Sequence, residues 1–416
     1  MNILVISPRP PWPANKADAM TVDQMLRFLA NQGHQVDLIS FVKNEREDQL
    51  VREGLNQVCH SIDTIILPAW KSFTATALGL MHSLPLQVNY YRSKSMKQLV
   101  EHKVGSGNYD IIYTHLIRMA EYTRQLKLPK VIGLQVSQAL NLGRMIKFNS
   151  NAFLRLFYQV ELAKVKPYEA TVAQDFDRVL LCGQSDIDAL NETGSVQNAL
   201  VCPHGQDIPS LTELQKIQRQ PGVIAMSGVM STHTNVEAVI WFAMEIFPLV
   251  LQKCPNVEFW IIGRNPNQRI KNLKSNPHIK VIGEVINLYE WLAKASIAVA
   301  PVRIAAGMQN KIVQAMACEL PVVSTTAANE GIRAQPNEHI IIKDDPREFS
   351  EALIELLQNQ EKRIRIGEAA RKFVEQYWSW DYHFQRQEKI FLEVTEIHKS
   401  QRKTGSVSNW DSSKKK

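Results

Sequence analysis

The feature that most constrains this chain is a rhythm. Short apolar runs alternate with helical stretches, first over 2–202 and again over 223–342. The opening run NILVIS, residues 2–7, holds four consecutive apolar residues, the pattern of a strand covered on both faces in a parallel sheet. Comparable runs fall at 35–41, 63–67, 110–114, 131–134, 178–181 and 199–202, then at 223–227, 257–262, 279–282, 297–300, 322–324 and 339–342. Helical patterns lie between most of them. Strand and helix in strict alternation specify a doubly wound parallel sheet, and two series specify two. The expected class is therefore α/β with two Rossmann-like domains in series and a cleft between them.

The polar stretch 208–222 interrupts the rhythm, which puts a boundary just after VCPHGQD at 201–207. The expected domains are 1–205 and 206–380, which suits 416 residues when domains commonly run to roughly 100 to 200. Within the second, 235–254 is an amphipathic helix, and helical patterns at 346–358 and 361–377 close the domain. A further helix at 381–398 has no strand to serve. Residues 399–416 are read as a disordered basic tail, because six Lys/Arg against the single Asp411 account for five of the seven net positive charges. The remaining body is close to neutral, which removes the argument for a nucleic-acid surface.

The five cysteines, at 59, 182, 202, 254 and 318, lack metal-ligand spacing and read as reduced thiols. No metal is expected. The N-terminus does not read as a signal peptide, and no apolar run is judged long enough to span a membrane. The expected location is cytoplasmic, with peripheral contact at the cytoplasmic face of a membrane left open. That contact would suit 72–96, where Phe73, Ala77, Leu80, Met81 and Leu84 share a helical face before Tyr90, Tyr91, Arg92, Lys94 and Lys97. A helix packed on its own domain fits the same pattern equally well.

Three places suit ligand chemistry. The loop PRPPWPANKADAM, residues 8–20, separates the first strand from a helix at 21–31 and is too proline-interrupted for a tight turn; it contains no GxGxxG, which argues against a nicotinamide or flavin dinucleotide. His115 directly follows the run DIIYT, at the carboxyl end where open α/β sheets hold ligands, although a lone histidine is also commonly structural. The third is IAVAPVRIAAGMQNKIVQAMACELPVVST at 297–325, which reads as strand, loop, helix, strand. Its helix begins near Gln309, packs Ile312, Val313, Met316 and Ala317 inward and leaves Asn310, Lys311 and Gln314 beside the Gly307 loop. An anion there would meet N–H groups, the positive end of the helix dipole and an ammonium. An ordinary crossover with a solvated lysine has the same pattern.

Several motifs together resemble a known family. VCPHGQD is similar to the VVPNGVD of retaining family 4 (group 1) glycosyltransferases, and AMACELPVVSTTAANEGI to their EAMACGxPVVAT segment. IIGRNP and IKVIGEVINLYEWLAKASIAVAP resemble the same donor half, and GMQNK resembles a bacterial polysaccharide-associated branch with GxQNKxxEAMA. The resemblance extends through PRPPWPANKADAM and PLQVNYYRSKSM to about residue 392. It implies a GT-B fold whose last helix crosses back to the first domain, and a donor nucleotide-diphosphate sugar held without a metal or other cofactor. The acceptor it implies is a glycan or lipid-linked saccharide.

Carried onto this sequence, the resemblance assigns the diphosphate to Gly307, Met308, Gln309, Asn310 and Lys311, with Gly228 and Arg264 at strand ends nearby. It assigns the base to the loop at Glu284 and Val285, the ribose to Gln314, and contact with the transferred sugar to His115. Two positions depart from it: Ala306 and Gln314 stand where the family pattern has paired glutamates. Gln314 offers one carbonyl acceptor and no charge. A catalytically impaired partner in polysaccharide assembly is therefore a second expectation, and a nucleotide-sugar epimerase a third.

Overall fold

The computed structural model describes residues 1–14, 17–68, 83–148, 151–194, 196–303 and 308–403. The chain divides into two compact units, Met1–Pro203 with Phe384–Lys416, and His204–His383.

The first unit contains β1 (Asn2–Ser7), β2 (Gln35–Val42), β3 (Ser61–Ile66), β4 (Ile111–His115), β5 (Lys130–Gln135), β6 (Arg178–Leu181) and β7 (Ala199–Val201). They form one sheet in the order β3-β2-β1-β4-β5-β6-β7, parallel throughout. The central strand explains the opening run of sequence: Ile3, Leu4, Val5 and Ile6 are all fully buried between helical layers. The strand order reverses between β1 and β4, so the crevice suited to ligands lies beyond Ser7 and His115.

The second unit repeats the plan with β8 (Val223–Ser227), β9 (Glu258–Ile262), β10 (Ile279–Gly283), β11 (Ile297–Ala300), β12 (Val322–Ser324) and β13 (Ile341–Ile342). Its order is β10-β9-β8-β11-β12-β13, again parallel, with the reversal between β8 and β11.

Three expectations change on contact with the structure. The helix anticipated at 235–254 covers His233–Lys253, a stretch that is long and apolar enough by composition to cross a membrane. It is instead a core element, because Phe242 and Phe247 are fully buried and pack on Phe259 of β9 at ring distances of 4.6 and 5.8 Å. The helix widens into a π turn at Phe242–Ile246, immediately before Pro248, whose missing N–H removes a regular helical bond.

The last helix runs through Trp380–Lys403, beyond the expected 398, so residues 399–403 are an ordered final turn. Lys399 sits 3.5 Å from Asp110, an attachment that a free tail would lack. From Phe384 onward this helix belongs to the first unit. Phe384 meets Phe28 at 5.7 Å, Phe391 meets Tyr113 at 5.7 Å, and Glu388 and Asp177 take hydrogen bonds of 2.7 and 2.8 Å from His34 and His398.

Of the apolar stripe expected over 72–96, Phe73, Ala77, Leu80 and Met81 lie outside the described residues. The described part is a short helix, Leu86–Tyr90, which starts after Pro85, followed by the helix Lys94–Ser106 capped by Ser93. Between β5 and β6 the chain forms a helical hairpin, Gln138–Phe148 and Ala152–Gln174.

Candidate functional site

The carboxyl edge of the second sheet is floored by bare backbone. β8 and β9 are each followed by a glycine with positive φ and β10 ends in one, namely Gly228 at 152°, Gly263 at 148° and Gly283 at 85°. Two of these positions are strained and crowded for any other residue, and at Gly263 the obstacle is backbone. A Cβ on Gly263 would stand 1.7 Å from the Gly228 carbonyl oxygen, and one on Gly228 would stand 2.7 Å from Asn235 Nδ2. Gly263 N donates to Gly283 O at 2.7 Å and Gly228 N to Ile262 O at 3.0 Å, so the strand ends are locked side by side.

The facing wall is the helix Asn310–Ala317. Its apolar face, Ile312, Val313, Ala315, Met316 and Ala317, is buried in the unit's core, which turns Asn310, Lys311 and Gln314 outward. Floor and wall enclose a concavity of about 430 Å3. Gly228, Arg264, Glu284, Val285, Met308, Gln309, Asn310, Lys311 and Gln314 all line it. The donor-side residues named from sequence thus converge on one cavity, except Gly307, which with Ala306 lies outside the described residues. Val229, Asn235, Ile262, Gly263 and Leu288 also line it and were not anticipated. Gly263 had a legible signal, since it follows the apolar run of β9 as Gly228 follows that of β8.

Electrostatically the site turns on Lys311. Its Nζ donates to the neutral Gln309 Oε1 at 2.7 Å, and among the described residues it forms no ion pair. Burial disfavours the ammonium and lowers its pKa to about 8. Gln309 occupies the helix N-cap but its side chain caps no N–H; Ile312 N turns back to Gln309 O at 2.9 Å, which leaves the N–H groups of Asn310 and Lys311 as the first-turn donors for an exogenous acceptor. Arg264 and Glu284 are exposed at the rim. An anion entering this cavity would find unblocked backbone donors and a cation lacking a counter-charge.

His115 belongs to the first unit and is not part of this cavity. It is the last residue of β4 and not the residue after it, and only 1% of it is exposed. Its Nδ1 is 3.3 Å from the Tyr113 hydroxyl. Two of the concavities in this unit adjoin Tyr91. One, of about 260 Å3, is walled by the 8–20 loop through Arg9 and Trp12 and by Tyr90 and Tyr91. The other, of about 350 Å3, has Tyr91 in common with it and is lined by Arg92, Lys94, Lys97 and Arg118. Arg118, in the turn after β4, was not anticipated; its guanidinium lies 5.4 Å from the Tyr91 ring.

Among solved structures, HepE of Anabaena in complex with UDP superposes with a TM-score of 0.62 at 15% identity, over 94% of this chain and all of that one (100%). TarM of S. aureus, in complex with fondaparinux, alpha-GlcNAc-glycerol and UDP, gives 0.62 at 11% identity over 94% and 100%. The fold is GT-B. Within this GT-B chain, residues 221–359 match the family described as Glycosyl transferases group 1, a span that includes every described residue of the 430 Å3 cavity. Over nearly the full length, 90% of this chain and 95% of the relative, it is 22% identical to an uncharacterised 44.6 kDa protein in the cps region of Klebsiella pneumoniae. Over 33% of this chain and 39% of the relative, it is 27% identical to a GDP-mannose-dependent monoacylated alpha-(1-6)-phosphatidylinositol monomannoside mannosyltransferase of Corynebacterium glutamicum.

Proposed function

We propose that this protein is a metal-independent, retaining glycosyltransferase of family 4 that moves a hexosyl group from a nucleotide-diphosphate sugar to a hydroxyl of a glycan or lipid-linked saccharide. It works at the cytoplasmic face of a membrane, in cell-surface or exopolysaccharide biosynthesis. The observation that carries this reading is Lys311: a cation without an ion-pair partner among the described residues, at a helix N-terminus without a side-chain cap, above a floor of glycine backbone.

Glycosyl transfer breaks the bond between the anomeric carbon and the diphosphate, so negative charge grows on the leaving group. Lys311 and the helix N–H groups are fixed where that charge develops, and no solvent reorganisation is needed to meet it. Arg264 approaches the phosphates from the rim, Gln314 bonds the ribose hydroxyls, and the Glu284–Val285 loop meets the base through its backbone. The sugar contact that the resemblance gives to His115 would require the end of β4 to open, because only 1% of that residue is exposed. On the acceptor side, the cavity of Arg92, Lys94, Lys97 and Arg118 suits a phosphate-bearing saccharide. HepE, crystallised with UDP and UDP-glucose, and the Klebsiella relative from a cps region support the donor class and the pathway class.

Incubation with a panel of nucleotide-sugars, followed by assay of donor hydrolysis and transfer, tests the proposal. Lys311→Ala is expected to lower turnover by about 10²- to 10³-fold. Turnover that survives this substitution overturns the role of Lys311. One observation favours a second reading: Gln314 presents a neutral amide to the cavity. If the folded protein binds no nucleotide, it acts as an assembly partner and not as an enzyme.

A further inference from the structure

The helical hairpin between β5 and β6 has two different halves. From Glu161 onward its second helix is a core element, with Glu161, Val165, Tyr168, Glu169, Val172 and Ala173 buried. Before Glu161 the same helix stands almost bare. Phe153 is 77% exposed, Leu156 60%, Phe157 40% and Val160 51%, and Met145 of the first helix adds another apolar side chain at 50%. Scattered exposed apolar residues are ordinary, but large side chains concentrated on one protruding tip are not.

The tip is firmly held at its base. The Glu169 carboxylate accepts from Gln138 N at 2.5 Å, Ala139 N at 3.2 Å and Ser137 Oγ at 2.9 Å, and so closes the start of the first helix. Glu161 accepts from Leu86 N at 2.7 Å where exposure begins. The charge pattern is equally one-sided. Residues 138–160 contain Arg144, Lys147 and Arg155 and no Asp or Glu.

We infer that this tip enters the interface of an anionic lipid bilayer, with Phe153, Leu156 and Phe157 among the acyl chains and Arg144, Lys147 and Arg155 at the headgroups. Apolar residues on one surface with cations around them match the two terms that hold interfacial helices, area burial and attraction to anionic lipid. A second copy of the chain is the poorer occupant. Symmetric pairing would bring Lys147 and Arg155 against their own images with no Asp or Glu in 138–160 to offset them, while Asp186 acts on Arg144. The inference concerns the docking surface and does not depend on which sugar is transferred. It places the first unit at the surface where a lipid-linked acceptor would be met, through a segment other than 72–96 or the basic tail.

The test is flotation of the full-length protein with vesicles of phosphatidylcholine alone or with about 30% phosphatidylglycerol. Binding is expected only to the anionic vesicles, falling as salt is raised. Phe153→Ser with Phe157→Ser should lower the bound fraction at least about tenfold, and Lys147→Gln with Arg155→Gln about three- to tenfold. Both pairs are solvent-exposed, so unchanged thermal unfolding and unchanged thermal shift with UDP separate lost docking from lost folding or lost donor binding. A Phe153→Trp variant should show a blue-shifted emission on the anionic vesicles. Equal flotation of the Phe153/Phe157 variant overturns the inference. So does failure of the unaltered protein to float with anionic vesicles, or a concentration-dependent dimer that the same substitutions abolish.

Discussion

The two sheets follow one plan and differ at their carboxyl edges. In the second unit three neighbouring strands end in or lead into glycines of positive φ, and the edge is a backbone floor. In the first, the corresponding edge is built from side chains: Arg9 and Trp12 after β1, Arg118 after β4, and Tyr90 and Tyr91 from the adjoining helix. Non-glycine residues even hold the left-handed turns there, Leu116 at 67° and Gln135 at 70°. A diphosphate is small and uniformly charged and is well met by N–H groups at close range. A saccharide presents a broad surface that rings and planar cations grip better. Topology is common to the two units, and under the proposed function the division of labour would be written in the loops.

The sharpest way to break this comparison is Gly263→Ala. With φ at 148° and a Cβ only 1.7 Å from a carbonyl oxygen, the substitution should destabilise the second unit by about 4 kcal/mol and abolish nucleotide binding. As an open-space control, Gly33→Ala, in the turn before β2, where φ is 80° and no atom lies within 4 Å, should cost only about 1 kcal/mol. Denaturant titration of both variants decides whether the contrast is real. A similar small cost at both would mean that the glycine floor is not built by close approach.

A second test uses pH. Lys311 in the free protein loses its proton around pH 8, and a bound diphosphate favours the charged form, so binding takes up a proton above that value. Affinity for a nucleoside diphosphate should weaken as pH rises through 8, approaching about tenfold per unit, while the change below about pH 7 belongs to the second ionisation of the phosphate. Calorimetry across pH 6 to 10 measures it (pH values chosen for the assay, about two units either side of the midpoint), and Lys311→Met should flatten the profile. The smallest effect is expected from Gln314→Glu. A carboxylate accepts from both ribose hydroxyls, so nucleotide binding should tighten by about three- to tenfold. An unchanged dissociation constant would remove Gln314 from the ribose contact.

Much of the fold was legible because buried parallel strands leave uninterrupted apolar runs. β1, β6, β8, β11 and β12 begin and end where those runs do. The donor-side cavity was legible through the glycine loop and the helix after it. What escaped the sequence has a physical cause in each case. An apolar helical pattern does not tell a buried face from a bare one, so the tip around Phe153 reads like the core helix at 233–253. The position of Gly263 after an apolar run was legible, but the approach of the Gly228 carbonyl that makes it a glycine was not. His115 and Arg118 lie on either side of the end of β4, and only the packing of Tyr113 and Tyr91 tells which one is enclosed and which one faces a cavity.

The returning C-terminal helix has a consequence for the order of events on the ribosome. The first sheet is synthesised before the second unit, yet Phe391 and Val394, which are buried in its unit, emerge only after the second unit has been made. Until they arrive, a hydrophobic face beside Tyr113 stays open while the second unit can already close on itself. The unit translated second is therefore free to finish folding first, and the nascent first unit spends the interval as the chain's aggregation-prone intermediate.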